Sequence, residues 1–285
     1  MNDKITNSIL ASLTADAYAL GAHWVYDEEQ LSNLPINWET LNDAQSMWHD
    51  GKKSGDFTHY GDQTLFLLEY MSEKKEFNKD DFYEFWSQKM KNYGGYIDGA
   101  TRNALENMGT ESADLSICGH IAPLLLHVKS QDEFLKRVKD FTSITHNSPL
   151  AQTASQFFAE LFYASLEGKD IQKTIEGLKP KYPSLSTWID EGMSSKDKDT
   201  SESIRGFGPA CGIDGGFSGV IHLLCLGDDF KEVMIKNSKA GGDSSARGMV
   251  VAMILGTRDE FKMVYEWLNN INTIEKINTY IQRLK

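Results

Sequence analysis

Cysteine, proline and positive charge are all scarce in this chain, and each shortage excludes something. Among 285 residues there are three cysteines, Cys118, Cys211 and Cys225, none in a Cys-x-x-Cys spacing. Three cannot build a disulfide framework, so each reads as a small buried side chain and the chain as a cytoplasmic protein. Lysine and arginine total 29 against 41 aspartates and glutamates, a net charge of -12. A phosphate backbone needs a basic footprint, so no nucleic-acid partner is expected, and the acidic surface serves solubility. No apolar run is long enough to span a bilayer, so no membrane partner is expected. The N-terminal segment also lacks the basic start of a secretion signal, and Thr14 and Asp16 break its apolar stretch. The composition carries no signal for oligomeric state.

Alternating strand patterns are equally rare, and helical periodicity takes their place. Ile9, Leu10, Leu13, Ala17 and Leu20 recur three or four apart, the spacing of an amphipathic helix. Segments 65–71, 82–90, 121–128, 134–144 and 151–166 repeat the pattern. Of only six prolines, Pro123, Pro149 and Pro209 stand near expected helix starts, where a missing N–H costs little. These features predict a compact, multi-helix, all-α single domain over residues 1–285, with at most a few short strands. The polar stretch 194–203 is expected to be a mobile surface loop. The glycines from Gly206 to Gly219 are expected to weaken regular structure and to let backbone approach a ligand or another helix. Gly248, Ala252 and Gly256 form a small-residue stripe, which predicts a buried helix with Asp243 at its start, in a cleft.

Two short motifs carry the candidate chemistry. Tyr60-Gly61-Asp62-Gln63-Thr64 and Gly241-Gly242-Asp243-Ser244-Ser245 each follow glycine with a carboxylate and then a hydroxyl at an expected helix start. Such a turn offers N–H groups and a charge to a cation or a phosphate, and its plainer use is an N-cap. Two of them, facing one another, would make a shared ligand site. His59 is the best placed imidazole for proton transfer, followed by His146. His23 and Trp24 could border the pocket and stack on a base, and Tyr60, Tyr93 and Tyr96 could do the same. Arg102 and Arg247 are the cations nearest the motifs, suited to a diphosphate or to a salt bridge. His120 reads as a cap, and His49, His127 and His222 belong to no motif.

At these residues, and at Leu20-Gly21-Ala22-His23-Trp24-Val25-Tyr26-Asp27 and Ile144-Thr145-His146-Asn147-Ser148-Pro149, the chain resembles the ADP-ribosylglycohydrolase family, in particular its J1-crystallin-like branch. The resemblance implies hydrolysis of a glycosidic bond between ADP-ribose, or a related ribosyl group, and an acceptor. It implies Asp62 and Asp243 as catalytic residues, to which His59 is added for its place three residues before Asp62, and Asp62, Asp243 and, by a looser match, Asp27 as ligands of magnesium. It also implies a substrate surface made of Tyr60, Gly61, Gln63, Thr64, His146, Gly241, Gly242, Ser244, Ser245, His23 and Trp24. The family holds one or two magnesium ions with paired aspartates. Here Gln63 and Ser245 stand where the second aspartates would be, and Gly61 where a threonine is common. Neutral ligands weaken such a site, so one ion is expected before two, and none is equally open. Two rivals remain: a non-catalytic binder of ADP-ribose or a nucleotide, or structural protein of the J1-crystallin kind, and a metal-independent hydrolase of another small N-glycoside.

Overall fold

Local caps and helical periodicity account for most of the architecture. The computed structural model describes residues 2–284, and among them sixteen α-helices follow one another. They are α1 (Asn2–Ala19), α2 (Glu28–Asn33), α3 (His59–Lys74), α4 (Lys79–Lys91), α5 (Gly99–Glu106), α6 (Ser116–Gly119), α7 (Gln131–Thr145) and α8 (Pro149–Leu166). After these come α9 (Ile171–Leu178), α10 (Ser186–Ser194), α11 (Thr200–Phe207), α12 (Ile213–Cys225), α13 (Phe230–Lys239), α14 (Ser244–Leu255), α15 (Tyr265–Asn269) and α16 (Ile274–Gln282). The all-α class follows directly. Extended pairing among the described residues is limited to isolated bridges, Val25 with Gly242, Thr110 with His146 and Asp114 with Gly212.

Helix α14 is the centre of the fold, with every residue from Ser244 to Leu255 buried. Its small-residue stripe works as expected: at Gly256 a Cβ would stand 2.7 Å from the Cα of Ser8, so α1 and α14 approach almost backbone to backbone. One continuous apolar core runs from Ile5 on α1 to Ile281 on α16. Burial on this scale is the main favourable term for folding.

Three local expectations change. Segment 121–128 is not a helix: α6 ends at Gly119, and a short 3₁₀ turn, Ala122–Leu125, follows. The polar stretch 194–203 is a surface loop only over 195–199, the turn between α10 and α11, exposed at 196–199. Asp199 caps α11, so the helix starts at Thr200, while Ser195 and Thr200 are buried against the ring of His222. The glycine-rich segment is irregular only over 208–212: α12 then runs through Gly215, Gly216 and Gly219, whose missing side chains admit Gly208, Leu115 and Arg247, the close approach expected of them.

Candidate active site

The two motif helices meet at a residue outside either motif. Asp16, buried on α1, accepts hydrogen bonds from the Thr58 amide at 2.8 Å, from the Thr58 hydroxyl at 2.6 Å and, at shorter range, from the Ser245 hydroxyl. Thr58 is the N-cap of α3, and Ser245 lies in the first turn of α14. One carboxylate therefore fixes both helix starts. Burial raises the Asp16 pKa to about 6, against those three hydrogen bonds, which lower it. Gly61 makes this approach feasible, since a Cβ there would stand 2.1 Å from the Asp16 carboxylate.

The second motif is shaped by backbone. Gly241 and Gly242 have φ of +71° and +63°, and a Cβ on Gly242 would lie 2.2 Å from the Pro209 carbonyl oxygen. Only glycine fits that turn. Gly242 exchanges backbone hydrogen bonds with the Trp24–Val25 segment, donating to Val25 and accepting from Trp24, each at 2.8 Å. His23 is thereby delivered to Asp243, with Nδ1 3.5 Å from Oδ1. Asp243 caps α14 through the Ala246 amide and accepts from the Tyr60 hydroxyl at 3.1 Å. Burial raises its pKa. Arg247 is not free to hold a diphosphate. It is fully buried and donates to the carbonyls of Gly241 and Pro209 and to Asn237, clamping the loop.

Around His23 lies a chamber of rings. His23, Trp24, Trp48, His49, His59, Tyr60 and Tyr96 pack mainly at tilted or edge-on angles. Trp24 holds a left-handed backbone, φ +61°, a strained state for a bulky residue, fixed here by the hydrogen bond to Gly242. His49 Nε2 and His59 Nδ1 are 3.1 Å apart. Burial is the leading cause that keeps these imidazoles uncharged: His49 falls to about 4, and His23 and His59 lie well below the ordinary value.

On the other side of Tyr60 lies a narrow cleft with about 20 Å³ of free space, room for about one water molecule. Tyr60 and Gln63 of α3, Asp98 and Thr101 at the start of α5, His120, and Thr145 and His146 at the end of α7 supply its polar lining. Phe82, Trp86 and Phe141 give it an apolar wall. Asp98 caps α5 and accepts twice from Thr101, at 2.8 and 2.7 Å, while its Oδ2 lies 3.6 Å from His59 Nε2. Burial lowers the pKa values of His120, to about 3, and of His146. The His146 Nε2 is buried without a partner.

The predicted residues are distributed unevenly over these features. Tyr60, Gln63 and His146 line the cleft, whereas His23, Trp24 and His59 form the chamber wall behind it. Gly61, Gly241, Gly242, Ser244 and Ser245 are buried framework. Thr64 bonds the Tyr60 carbonyl and His120. Asp62 is not a cap, because Thr58 starts α3 one turn earlier. Its carboxylate holds Lys52 Nζ at 2.7 Å and the Tyr93 hydroxyl at 2.6 Å. Asp27 is an exposed cap of α2, bonded to the Gln30 amide. The expected single cavity between Asp62 and Asp243 gives way to a cleft that neither residue lines.

Magnesium does not fit the donors present. Gln63 is engaged by Trp86 and Thr101, Ser245 by Asp16, and Asp62 by an ammonium group. A hard cation needs oxygen ligands with anionic charge, and here the charge is already neutralised or turned elsewhere. Sequence reasoning missed Asp16, His49, Lys52 and Asp98. Only Asp98 carried a local signal, an aspartate placed three residues before Thr101, as a helix cap is.

A family model described as ADP-ribosylglycohydrolase matches residues 1–285. Crystallin J1A of Tripedalia cystophora is 22% identical over 319 aligned positions, which cover 99% of this chain and 96% of that protein. Crystallin J1B of the same animal is 22% identical, over 87% of this chain and 85% of its own. A solved structure named ADP-ribosylglycohydrolase-related protein complex superposes with a TM-score of 0.71 at 18% identity, covering 99% of this chain and 97% of that one. That likeness extends over the fold.

Proposed function

Because the chain belongs to the ADP-ribosylglycohydrolase family, we propose that it hydrolyses a glycosidic bond between ADP-ribose, or a related ribosyl group, and an acceptor, at the cleft beside Tyr60, which widens to admit the ribosyl group. The observation that carries this reading is a carboxylate, Asp98, held among uncharged imidazoles in a partly apolar pocket. Displacement at an anomeric carbon passes through an oxocarbenium-like state, which a nearby carboxylate stabilises. Asp98 accepts the proton of the attacking water as its oxygen bonds to the anomeric carbon. The departing acceptor leaves with the bonding electron pair and takes up a proton from solvent, and Asp98 returns the proton it accepted to water. His146, with Nε2 unpartnered in the cleft, is placed to hydrogen-bond the departing group. No step passes through magnesium.

Asp98→Asn is the direct test. Asparagine caps a helix as well as aspartate does, so α5 stays in place while the proton acceptor is lost. Release of ADP-ribose from ADP-ribosylated arginine and serine peptides, followed chromatographically, should drop about 10²- to 10⁴-fold with an unchanged unfolding midpoint. Wild-type protein that neither releases nor binds ADP-ribose would overturn the reading. A second reading, a non-catalytic binder or a structural protein, draws on the ion pair that neutralises Asp62 and on similarity to crystallins. Calorimetry showing ADP-ribose bound without turnover would favour the binder, and neither binding nor turnover the structural role.

A further inference from the structure

His23, His49 and His59 come from three separate parts of the chain, the turn after α1, the 3₁₀ turn Met47–His49 and the first residue of α3, and each is buried. One nitrogen of each lies within 4.8 Å of the others. Beyond the contact between His49 Nε2 and His59 Nδ1, four of their nitrogens have no hydrogen-bond partner: both of His23, His49 Nδ1 and His59 Nε2. Buried polar atoms are ordinarily satisfied, and an ion between the rings would take up His23 Nε2, whose ring turns Nδ1 toward Asp243. From these positions we infer that the three imidazoles bind one borderline-soft divalent transition ion, of which zinc is the representative, with a fourth position left for water.

Two imidazole nitrogens on a tetrahedral zinc, at about 2.0–2.1 Å each, stand about 3.3 Å apart, close to the 3.1 Å between His49 and His59. His23 completes the set by turning inward. Ligating histidines usually give their other N–H to a carboxylate, and two of these have one at hand. His23 Nδ1 is 3.5 Å from Asp243, and His59 Nε2 is 3.6 Å from Asp98. Imidazole favours zinc, copper or nickel over magnesium, so this site would differ in kind from an all-oxygen one. Burial also keeps the three rings in the neutral form a metal requires. A bound ion would fix His59 as an Nε2–H donor toward Asp98, joining the metal to the cleft. Metal binding itself stands apart from the reaction assigned to that cleft, and the two fail separately.

Wild-type protein stripped with a chelator is titrated with Zn²⁺ against a chromogenic competitor, and separately with Co²⁺. The expected result is one ion per chain, an intense visible Co²⁺ spectrum of tetrahedral nitrogen ligation, and no competition from millimolar Mg²⁺. His49→Gln and His23→Gln should weaken Zn²⁺ at least 100-fold, whereas His127→Gln, at an exposed position, should not. No bound ion, a weak octahedral Co²⁺ spectrum, or undiminished affinity in folded His49→Gln protein overturns the inference. If the variants do not fold, the stoichiometry and Co²⁺ spectrum of the wild type still decide it.

Discussion

Asp62 and Asp243 follow glycine in nearly the same spelling, yet the fold uses them in opposite ways. Asp243 caps its helix and is 1% exposed, among Tyr60, His23 and the Ala246 amide. Asp62 lies inside α3, 19% exposed, and faces outward to Lys52 and Tyr93. The cause is local. Thr58 caps α3 four residues before Asp62, whereas in the second motif no hydroxyl precedes the aspartate and Asp243 itself is the cap. A Gly-Asp pair predicts a helix start only when nothing upstream can cap first.

The glycines before the two aspartates offer the largest test of that contrast. Gly242→Ala must put a Cβ against the Pro209 carbonyl at a backbone angle alanine resists, so urea unfolding should show a loss of about 4 kcal/mol or more. Gly61 has ordinary helical backbone, and a Cβ there meets side chains of Asp16 and Phe57. Side chains shift where a carbonyl cannot, so Gly61→Ala should cost less, about 2 kcal/mol. Equal losses would mean that both turns are limited by the same contact.

Asp16, which ties the two helix starts together, provides the next. Its folded pKa, about 6, is raised above the ordinary 3.8, with burial the main cause. The sign follows from linkage: a raised pKa contributes stability in full below the unfolded value, and that contribution is lost as pH rises through the folded one. Relative to Asp16→Asn, wild type should therefore lose on the order of 3 kcal/mol between pH 3.8 and 6, and nothing further above it. Stability curves of the two proteins that run parallel across this window would remove Asp16 as a buried titrating hub.

What could be read in the sequence follows the range of the interaction. Helices α1, α3, α8 and α14 were visible because amphipathic and small-residue periodicities are local, and the buried α14 was legible from Gly248, Ala252 and Gly256 with the apolar Met249, Val250, Met253 and Ile254 beside them. Tyr60, Gln63 and His146 were singled out and lie in the cleft. Asp16, His49 and Lys52 were not legible, since their roles arise only when a loop or another helix arrives. Asp16 meets Ser245 from the far end of the chain, and His49 meets His23 across a long irregular segment. Asp98 stands between these cases: the cap was readable, the cleft around it was not.

The smallest effect separates the two aspartates by their response to salt. The pair between Asp62 and Lys52 is partly open to water, so its contribution is about 1 kcal/mol at most, and 1 M salt shortens the screening length to about 3 Å. Asp62→Asn should thus destabilise the protein by about 0.5–1 kcal/mol at low ionic strength and by less than half of that in 1 M sodium chloride. Asp243→Asn retains the cap and removes a buried charge, and its partners lie where ions do not reach. Its effect, whatever its sign, should be the same at both salt concentrations in paired urea titrations. A salt-dependent Asp243→Asn would place that carboxylate in contact with solvent, and a salt-independent Asp62→Asn would mean that Tyr93, not Lys52, is the partner that matters.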